Sequence, residues 1–186
     1  MSGNMIVICA PSGTGKSTLL NRLKTDIPDL VWSVSCTTRP IRNGETHGKD
    51  YYFIKPQTFE QQIADNEFIE WARVHSNYYG TSKRFVKEGL EKGWKMLFDL
   101  DVQGADAMKE IYGDGAQVIF IEPPSIEELE KRLLARGTDS PEVIAERIKN
   151  ARKELERKEK YDHLILNDDV DRAYLKLKSI VERILA

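Results

Sequence analysis

Cysteine is almost missing from this chain. Its 186 residues include only Cys9 and Cys36, and neither belongs to a CxxC pair. That excludes a disulfide framework and a cysteine-built zinc site, and it fits free thiols in a reducing compartment. Histidine is as scarce: His47, His75 and His163 fall in three separate segments, so no structural zinc site is expected. A large surplus of one charge is also lacking. The net charge of −2 argues against a broad basic face and therefore against nucleic acid as a partner. No apolar run approaches membrane-spanning length, and the opening "MSGNMIVICAPSG" has no basic start. Neither a membrane partner nor a signal peptide is expected, and a cytoplasmic enzyme is the default. There is no internal repeat.

What is present is an ordinary globular mixture, 40% hydrophobic and 31% charged, long enough for one compact domain with a sizeable core. The apolar run 5–10 predicts a buried strand, and residues 16–26, with leucines at helical spacing, predict a helix. Residues 30–36 alternate like one strand, and 51–54 like another. Residues 58–66 suggest a short helix with Thr58 as its N-cap. Residues 67–74 and 77–80 look like an antiparallel pair, followed by a helix over 82–93. The runs 95–101 and 117–124 read as strands. Ser125 and Glu128 form a capping-box pattern for a helix ending at Gly137. Ser140 and Pro141 open the next helix as N-cap and N1. Residues 163–167 predict a last strand, and 170–185 an amphipathic helix able to pack internally or against a partner. The stretch "KNARKELERKEK" at 149–160 reads as a solvated helix face laced with i,i+4 pairs.

Strands alternate with helices at both ends of the chain, which predicts an α/β protein with a parallel sheet flanked by helices. From about residue 33 to 92 the strands follow one another instead. This predicts an inserted subdomain of mixed or antiparallel strands.

The stretch "APSGTGKST" fits the P-loop pattern except that Ala10 stands at its first glycine position. Gly13 and Gly15 let successive backbone N–H groups turn toward phosphate oxygens, and the following helix adds its positive N-terminus. Lys16 supplies a point charge to the β- and γ-phosphates, and the Ser17 hydroxyl is the expected Mg²⁺ ligand. Ala10, Pro11, Ser12, Thr14 and Thr18 complete this ATP-binding segment. A strand before the loop and a helix after it are the context the motif requires. "DVQG" at 101–104 matches a short GTPase element, but a base-reading Asn-Lys-x-Asp motif is lacking near the last strand, where "NDD" stands at 167–169. Asp99, with Asp101 supporting, better suits a carboxylate near Mg²⁺ and a nucleotide.

A second phosphate grip is suggested by "SCTTRPIRNGETHGKDY" at 35–51, where Arg39 and Arg42 lie in a loop near Thr37, Thr38 and Tyr51. Arginine forks match phosphate oxygens with bidentate bonds. For the pair alone, surface arginines in a polar loop are the simpler reading. Glu70 alone likewise reads as a surface carboxylate on an alternating strand. The ordered series of Tyr51, "FIEW" and "NYYGTS" changes the balance.

With these motifs, and with "FDLDVQGA", "PPSIEELEKRLLARG" and "ILNDD", the whole chain resembles the guanylate kinase family, P-loop nucleoside monophosphate kinases. In the family a proline usually precedes the second arginine of the phosphate loop, whereas here Ile41 precedes Arg42, which implies an altered loop shape. The resemblance implies a P-loop core over 1–32, 93–124 and 151–186, a GMP-binding subdomain over 33–92 and a small helical lid over 125–150. It implies ATP-dependent phosphorylation of GMP, with dGMP as a further acceptor and Mg²⁺ as cofactor. Arg39, Arg42, Tyr51 and Tyr79 would hold the GMP phosphate, with Glu45 bracing the loop and Gly80 beside it. Guanine presents two N–H donors side by side, so ionised Glu70 can accept both, while Ser35 donates to O6 and Thr81 adds a polar contact. Adenine presents the wrong pattern.

The resemblance further implies that Arg132, Arg136 and Arg147 close over the ATP phosphates and the migrating group, with Asn167 near the adenine. From spacing alone, Arg132 is as well read as the i,i+4 partner of Glu128. Two rival functions remain: a monophosphate kinase with another base preference, and a guanylate-kinase-like module that binds phosphorylated peptides. Glu70 with Ser35 argues against the first, and the intact Gly13, Gly15, Lys16 and Ser17 against the second. The oligomeric state has no signature.

Overall fold

The computed structural model describes residues 5–74, 76–137 and 139–186. His75 therefore lies outside the described residues. A five-stranded parallel sheet forms the centre. In chain order its strands are β1 (Met5–Cys9), β2 (Val31–Trp32), β7 (Met96–Asp99), β8 (Ala116–Glu122) and β9 (His163–Leu166). They lie side by side as β2-β7-β1-β8-β9. Helices cover both faces: α1 (Lys16–Asp26) and α7 (Val170–Leu185) on one, α4 (Val102–Tyr112) on the other. This explains the unbroken apolar run of β1. Ile6 and Ile8 pack with Leu19 and Leu23 of α1 and Leu177 of α7. Met5, Val7 and Cys9 pack with Phe98, Met108 and Phe120 on the other side. A strand covered on both faces has no solvent-facing position to fill with polar residues. The buried side of α7 is thus used internally.

A second sheet takes its strands from the middle of the chain: β3 (Cys36–Thr37), β4 (Tyr52–Phe53), β5 (Phe68–Val74) and β6 (Asn77–Ser82). Their order is β4-β3-β6-β5; β6 runs antiparallel to both β3 and β5, and β4 parallel to β3. The alternating run 30–36 is therefore not one strand. Its first part pairs with β7 in the central sheet and its end with β4 and β6 in the other. The helix before β5, α2 (Pro56–Ala64), has Lys55 at its N-cap and Pro56 at N1, so Thr58 lies inside the helix and not at its cap. The proline fixes the start because its φ is already helical and its missing N–H would be unpaired there anyway. Helix α3 (Lys83–Lys92) leads back to the core. Helix α4 answers to no reading of the sequence; Asp101 caps it by accepting from the Gly104 N–H at 2.8 Å.

The second sheet rests on a small core: Phe59, Phe68 and Cys36, with Ile54, Ile63 and Tyr78 packed against them. Phe59 stacks on Phe68 and Tyr78, with centroids 4.4 and 5.2 Å away. Phe59→Ala is therefore expected to cost about 3–5 kcal/mol, concentrated in this sheet. Hydrogen exchange would show early opening of amides in 36–82 while β1, β7 and β8 stay protected. Uniform loss of protection across both sheets would contradict this independence.

Two helices, α5 (Ile126–Arg136) and α6 (Pro141–Leu155), form a hairpin packed through Leu129, Leu133, Ile144 and Ala151. Ser125 accepts from the Glu128 N–H at 3.1 Å, whereas the Glu128 carboxylate turns to Arg132 at 3.3 Å instead of closing a reciprocal box. The stretch 149–160 is mostly exposed, as expected of a solvated face, but no i,i+4 ion pair laces it among the described residues. Two of its cations reach across the fold instead: Arg157 pairs with Asp106, and Lys158 with Glu122 at 2.6 Å.

Candidate active site

The parallel register sets Ile8 of β1 beside Asp99 of β7, so the loop leaving β1 and the carboxylate ending β7 emerge together. Gly13 and Gly15 both take φ of +96°, which L side chains rarely adopt. Each is also crowded: a Cβ on Gly13 would lie 2.8 Å from Leu133 Cδ2, and one on Gly15 2.7 Å from Asn167 Nδ2. Thr14 is buried between them; its hydroxyl donates to the Pro11 carbonyl at 2.6 Å. Lys16 Nζ lies 2.5 Å from Asp99 Oδ1 and donates to the Leu100 carbonyl at 2.6 Å. Ser17 opens onto the same space.

That space is a cleft of about 710 Å³ between the loop, the second sheet and the α5–α6 hairpin. Its lining brings together Ala10 through Ser17, Ser35, Tyr51, Glu70, Tyr79, Gly80, Asp99, Asp101, Arg136 and Arg147. Thr18 lies outside it, exposed on α1. Arg39, Arg42 and Glu45 form an adjoining rim. There Glu45 accepts Arg39 bidentately, at 2.7 and 3.1 Å, and also the Arg42 N–H at 2.8 Å. Arg39 sits 5.5 Å from the centroid of the Tyr51 ring, which meets Tyr79 edge to face at 5.9 Å. Burial pushes the Tyr51 phenol up to about 12, which keeps it a hydrogen-bond donor at neutral pH.

Glu70 is buried, not a surface carboxylate. β5 bulges between Phe68 and Glu70: Phe68 faces Ser82, yet Glu70, two residues on, faces Thr81. The extra residue re-aims the side chain. Thr81, itself fully buried, donates to Glu70 Oε1 at 2.5 Å. The other oxygen lies close to α4, where a Cβ on Gly104 would stand 2.9 Å from Oε2. Burial raises the Glu70 carboxyl to about 7, opposed by the Thr81 hydroxyl and aided by Asp101. Ser35 lies buried in the same wall.

Arg132 and Asn167 support the loop from behind. Arg132 donates to the carbonyls of Thr14 and Asn167 at 3.2–3.3 Å, and Asn167 Nδ2 donates to the Thr14 carbonyl at 2.7 Å. The i,i+4 pair of Arg132 with Glu128 expected from spacing is also present, at 3.3 Å, while the guanidinium is turned to the backbone carbonyls of Thr14 and Asn167. Sequence reading missed Asn150, Lys153, Glu154 and Arg157, which line the cleft. Their spacing with Arg147 at steps of three and four was the available signal, since such residues share one helix face. Burial, together with Asp101 and against Lys16, lifts Glu154 to about 7.

Among the described residues no group of three or more His, Cys, Asp or Glu could hold a metal ion. One hydroxyl with one nearby carboxylate, Ser17 and Asp99, instead fits Mg²⁺, which relies on substrate phosphates and water for most of its ligands. No helix among the described residues is long and apolar enough to cross a membrane.

A loop built to cradle phosphates, facing a buried carboxylate and an arginine–tyrosine rim across one cleft, defines a P-loop nucleoside monophosphate kinase. The family model described as guanylate kinase matches residues 2–184. The guanylate kinase of Syntrophotalea carbinolica is 48% identical over 97% of this chain and 85% of its own length. That of Bacteroides thetaiotaomicron is 45% identical over 100% and 91%. The crystal structure of guanylate kinase from Anaplasma phagocytophilum superposes with a TM-score of 0.78 at 34% identity, covering 98% of this chain and 86% of that one. The chain belongs to the guanylate kinase family.

Proposed function

We propose that the protein transfers the γ-phosphoryl group of ATP in line to the phosphate of GMP, and of dGMP, yielding ADP and the diphosphate, and so serves GMP recycling in purine nucleotide metabolism. Family membership supports the kinase activity on GMP. The observation that carries the finer reading is the shared cleft: the P-loop and the buried carboxylate of Glu70 open into it together.

In this reading residues 1–32, 93–124 and 151–186 are the core, 33–92 the GMP-binding subdomain and 125–150 the lid. Residues Ala10 to Thr18 hold the ATP phosphates, and Arg132 and Asn167 keep the loop in shape. Ser17 and, through water, Asp99 would hold Mg²⁺, which neutralises charge between the β- and γ-phosphates when bound. Glu70, Ser35 and Thr81, with Asp101 near, read the guanine. Arg39, Arg42, Tyr51 and Tyr79 hold the acceptor phosphate. That acceptor is already an anion, so the reaction needs no strong general base. What opposes it is repulsion between two anions, and Lys16, Arg136 and Arg147 offset that repulsion as the groups approach. Closure of the lid over both substrates excludes water, the competing acceptor.

Arg136 is exposed at the end of α5 and lines the cleft. Arg136→Ala is expected to lower kcat on the order of 100-fold while costing less than about 1 kcal/mol of stability. Steady-state rates beside urea unfolding would check this; matched losses of activity and stability would favour a structural role. The function itself is tested by ADP formation in a coupled assay with ATP and Mg²⁺, comparing GMP, dGMP, AMP, UMP and no acceptor. Turnover confined to GMP and dGMP is expected. Turnover with another monophosphate would overturn the guanine assignment. A folded protein that binds GMP without turnover would favour the binding module.

A further inference from the structure

Arg147 is held at both ends of its guanidinium, by Ser12 of the phosphate loop and by Asp139, to which the catalytic reading gives no role. Nη1 donates to the Ser12 hydroxyl of the P-loop at 3.1 Å, a contact between residues 135 positions apart. Nη2 donates to Asp139 Oδ1 at 3.3 Å, across the turn between α5 and α6. The side chains of Arg147 and Asp139 are 19% and 14% exposed, so water screens this pair weakly. Asp139 stands just ahead of Ser140, the N-cap of α6, and Arg147 is two turns into that helix. The carboxylate therefore joins the entry of the helix to the arginine that faces the cleft. The fit is incomplete: Arg147 Nε and Asp139 Oδ2 are both buried and unpaired among the described residues. A long side chain otherwise samples many rotamers, and fixing it costs conformational entropy.

We infer that Asp139 is a positioning residue for phosphoryl transfer: it holds Arg147 pointed at the donor phosphates, with the Ser12 hydroxyl docking the same guanidinium on the P-loop. Asp139 touches no substrate; it acts through Arg147. Ser12 ties the position of the hairpin to the phosphate loop, so the arginine and the phosphates it serves stay in register. The inference rests on the reading of Arg147 as a transfer residue.

A double-mutant cycle on the full chain separates the two claims. The variants are Asp139→Ala, Arg147→Ala and both together, with kcat and the KM values for ATP and GMP measured for each. Asp139→Ala is expected to lower kcat about 10-fold with KM for GMP unchanged. In the Arg147→Ala background the same substitution is expected to have no further effect on kcat, because its target is gone. Additive losses would overturn the inference while leaving the role of Arg147 intact. An Arg147→Ala enzyme with full kcat would overturn the role of Arg147 itself. If Asp139→Ala folds poorly by circular dichroism, Asp139→Asn carries the same cycle, since its amide oxygen can still accept from Nη2 without the charge. A smaller loss than with alanine, again absent in the Arg147→Ala background, is then expected, and an additive loss overturns the inference as before.

Discussion

Glu70→Gln is expected to lower kcat/KM for GMP by roughly 10²- to 10⁴-fold and to narrow the preference for GMP over AMP. In the proposed reading the wild-type carboxylate offers only acceptors to the two adjacent N–H donors of guanine. Glutamine keeps one acceptor and turns an NH₂ toward the second donor, inside a wall where water cannot take over. Unchanged selectivity between GMP and AMP in this variant would sink the assignment.

The same residue sets a pH dependence. Burial holds the free Glu70 carboxyl at about 7, well above its ordinary 4.5. Below that value the free protein carries a protonated Glu70, which GMP binding must deprotonate. KM for GMP is therefore expected to climb as pH falls through 7, approaching about tenfold per unit, and to be flat above it. Stability runs with the opposite benefit. Between pH 4.5 and about 7 the native state binds more protons at Glu70 than the unfolded chain does, so this contribution is full below 4.5 and lost as pH rises through 7. The buried charge left above pH 7 costs on the order of a few kcal/mol. Glu70→Gln carries no such charge and is expected to be more stable than wild type at pH 8 while being the poorer enzyme, which chemical denaturation at pH 5 and 8 would reveal. Glu154 is raised in the same direction, so the comparison of wild type with Glu70→Gln, and not wild type alone, isolates the Glu70 effect.

Lys16→Ala is expected to reduce kcat by about 10²- to 10³-fold with GMP affinity in the absence of ATP nearly unchanged. Lys16 is the cation at the centre of the phosphate loop, and here its ammonium is parked 2.5 Å from Asp99. The Asp99 side chain is 40% exposed, so water can solvate it once the partner is removed and little stability is lost. Rapid-quench turnover together with GMP titration would separate the two effects. A parallel loss of GMP binding would mean that Lys16 organises the cleft as a whole and does not act on the donor.

Much of this site could be read from the chain because its parts are local. The P-loop is one contiguous segment whose glycines, lysine and serine each act through nearby backbone, and β1 and α1 follow from an apolar run and a leucine period. The arginine rim is nearly as local, since Glu45 joins Arg39 and the Arg42 N–H within a single loop, although from the residues alone it read as surface arginines. Where the reading of the residues failed, the cause was non-local. Residues 30–36 alternate as a strand should, yet which sheet each part joins depends on partners more than forty positions away, at Gly80 and Met96. Helix α4 escaped notice because Gly104 and two short alanine positions weaken its apolar period. That Asn150, Lys153 and Glu154 of α6 line the cleft went unread because a sequence does not say what stands opposite a helix.

The sequence by itself determined the α/β class and the phosphate loop with its lysine and hydroxyl, because short-range spacing specifies backbone turns and helix starts, and the family through the resemblance of its ordered motifs. Only the tertiary structure decided that Glu70 is a buried carboxylate facing a cleft. Its alternating strand is equally compatible with a solvated surface. A one-residue bulge in β5, the hydroxyl of Thr81 on β6 and the bare backbone of Gly104 on α4 make the difference. The burial that raises its pKa is a property of three segments packed together, and no single stretch of chain encodes it.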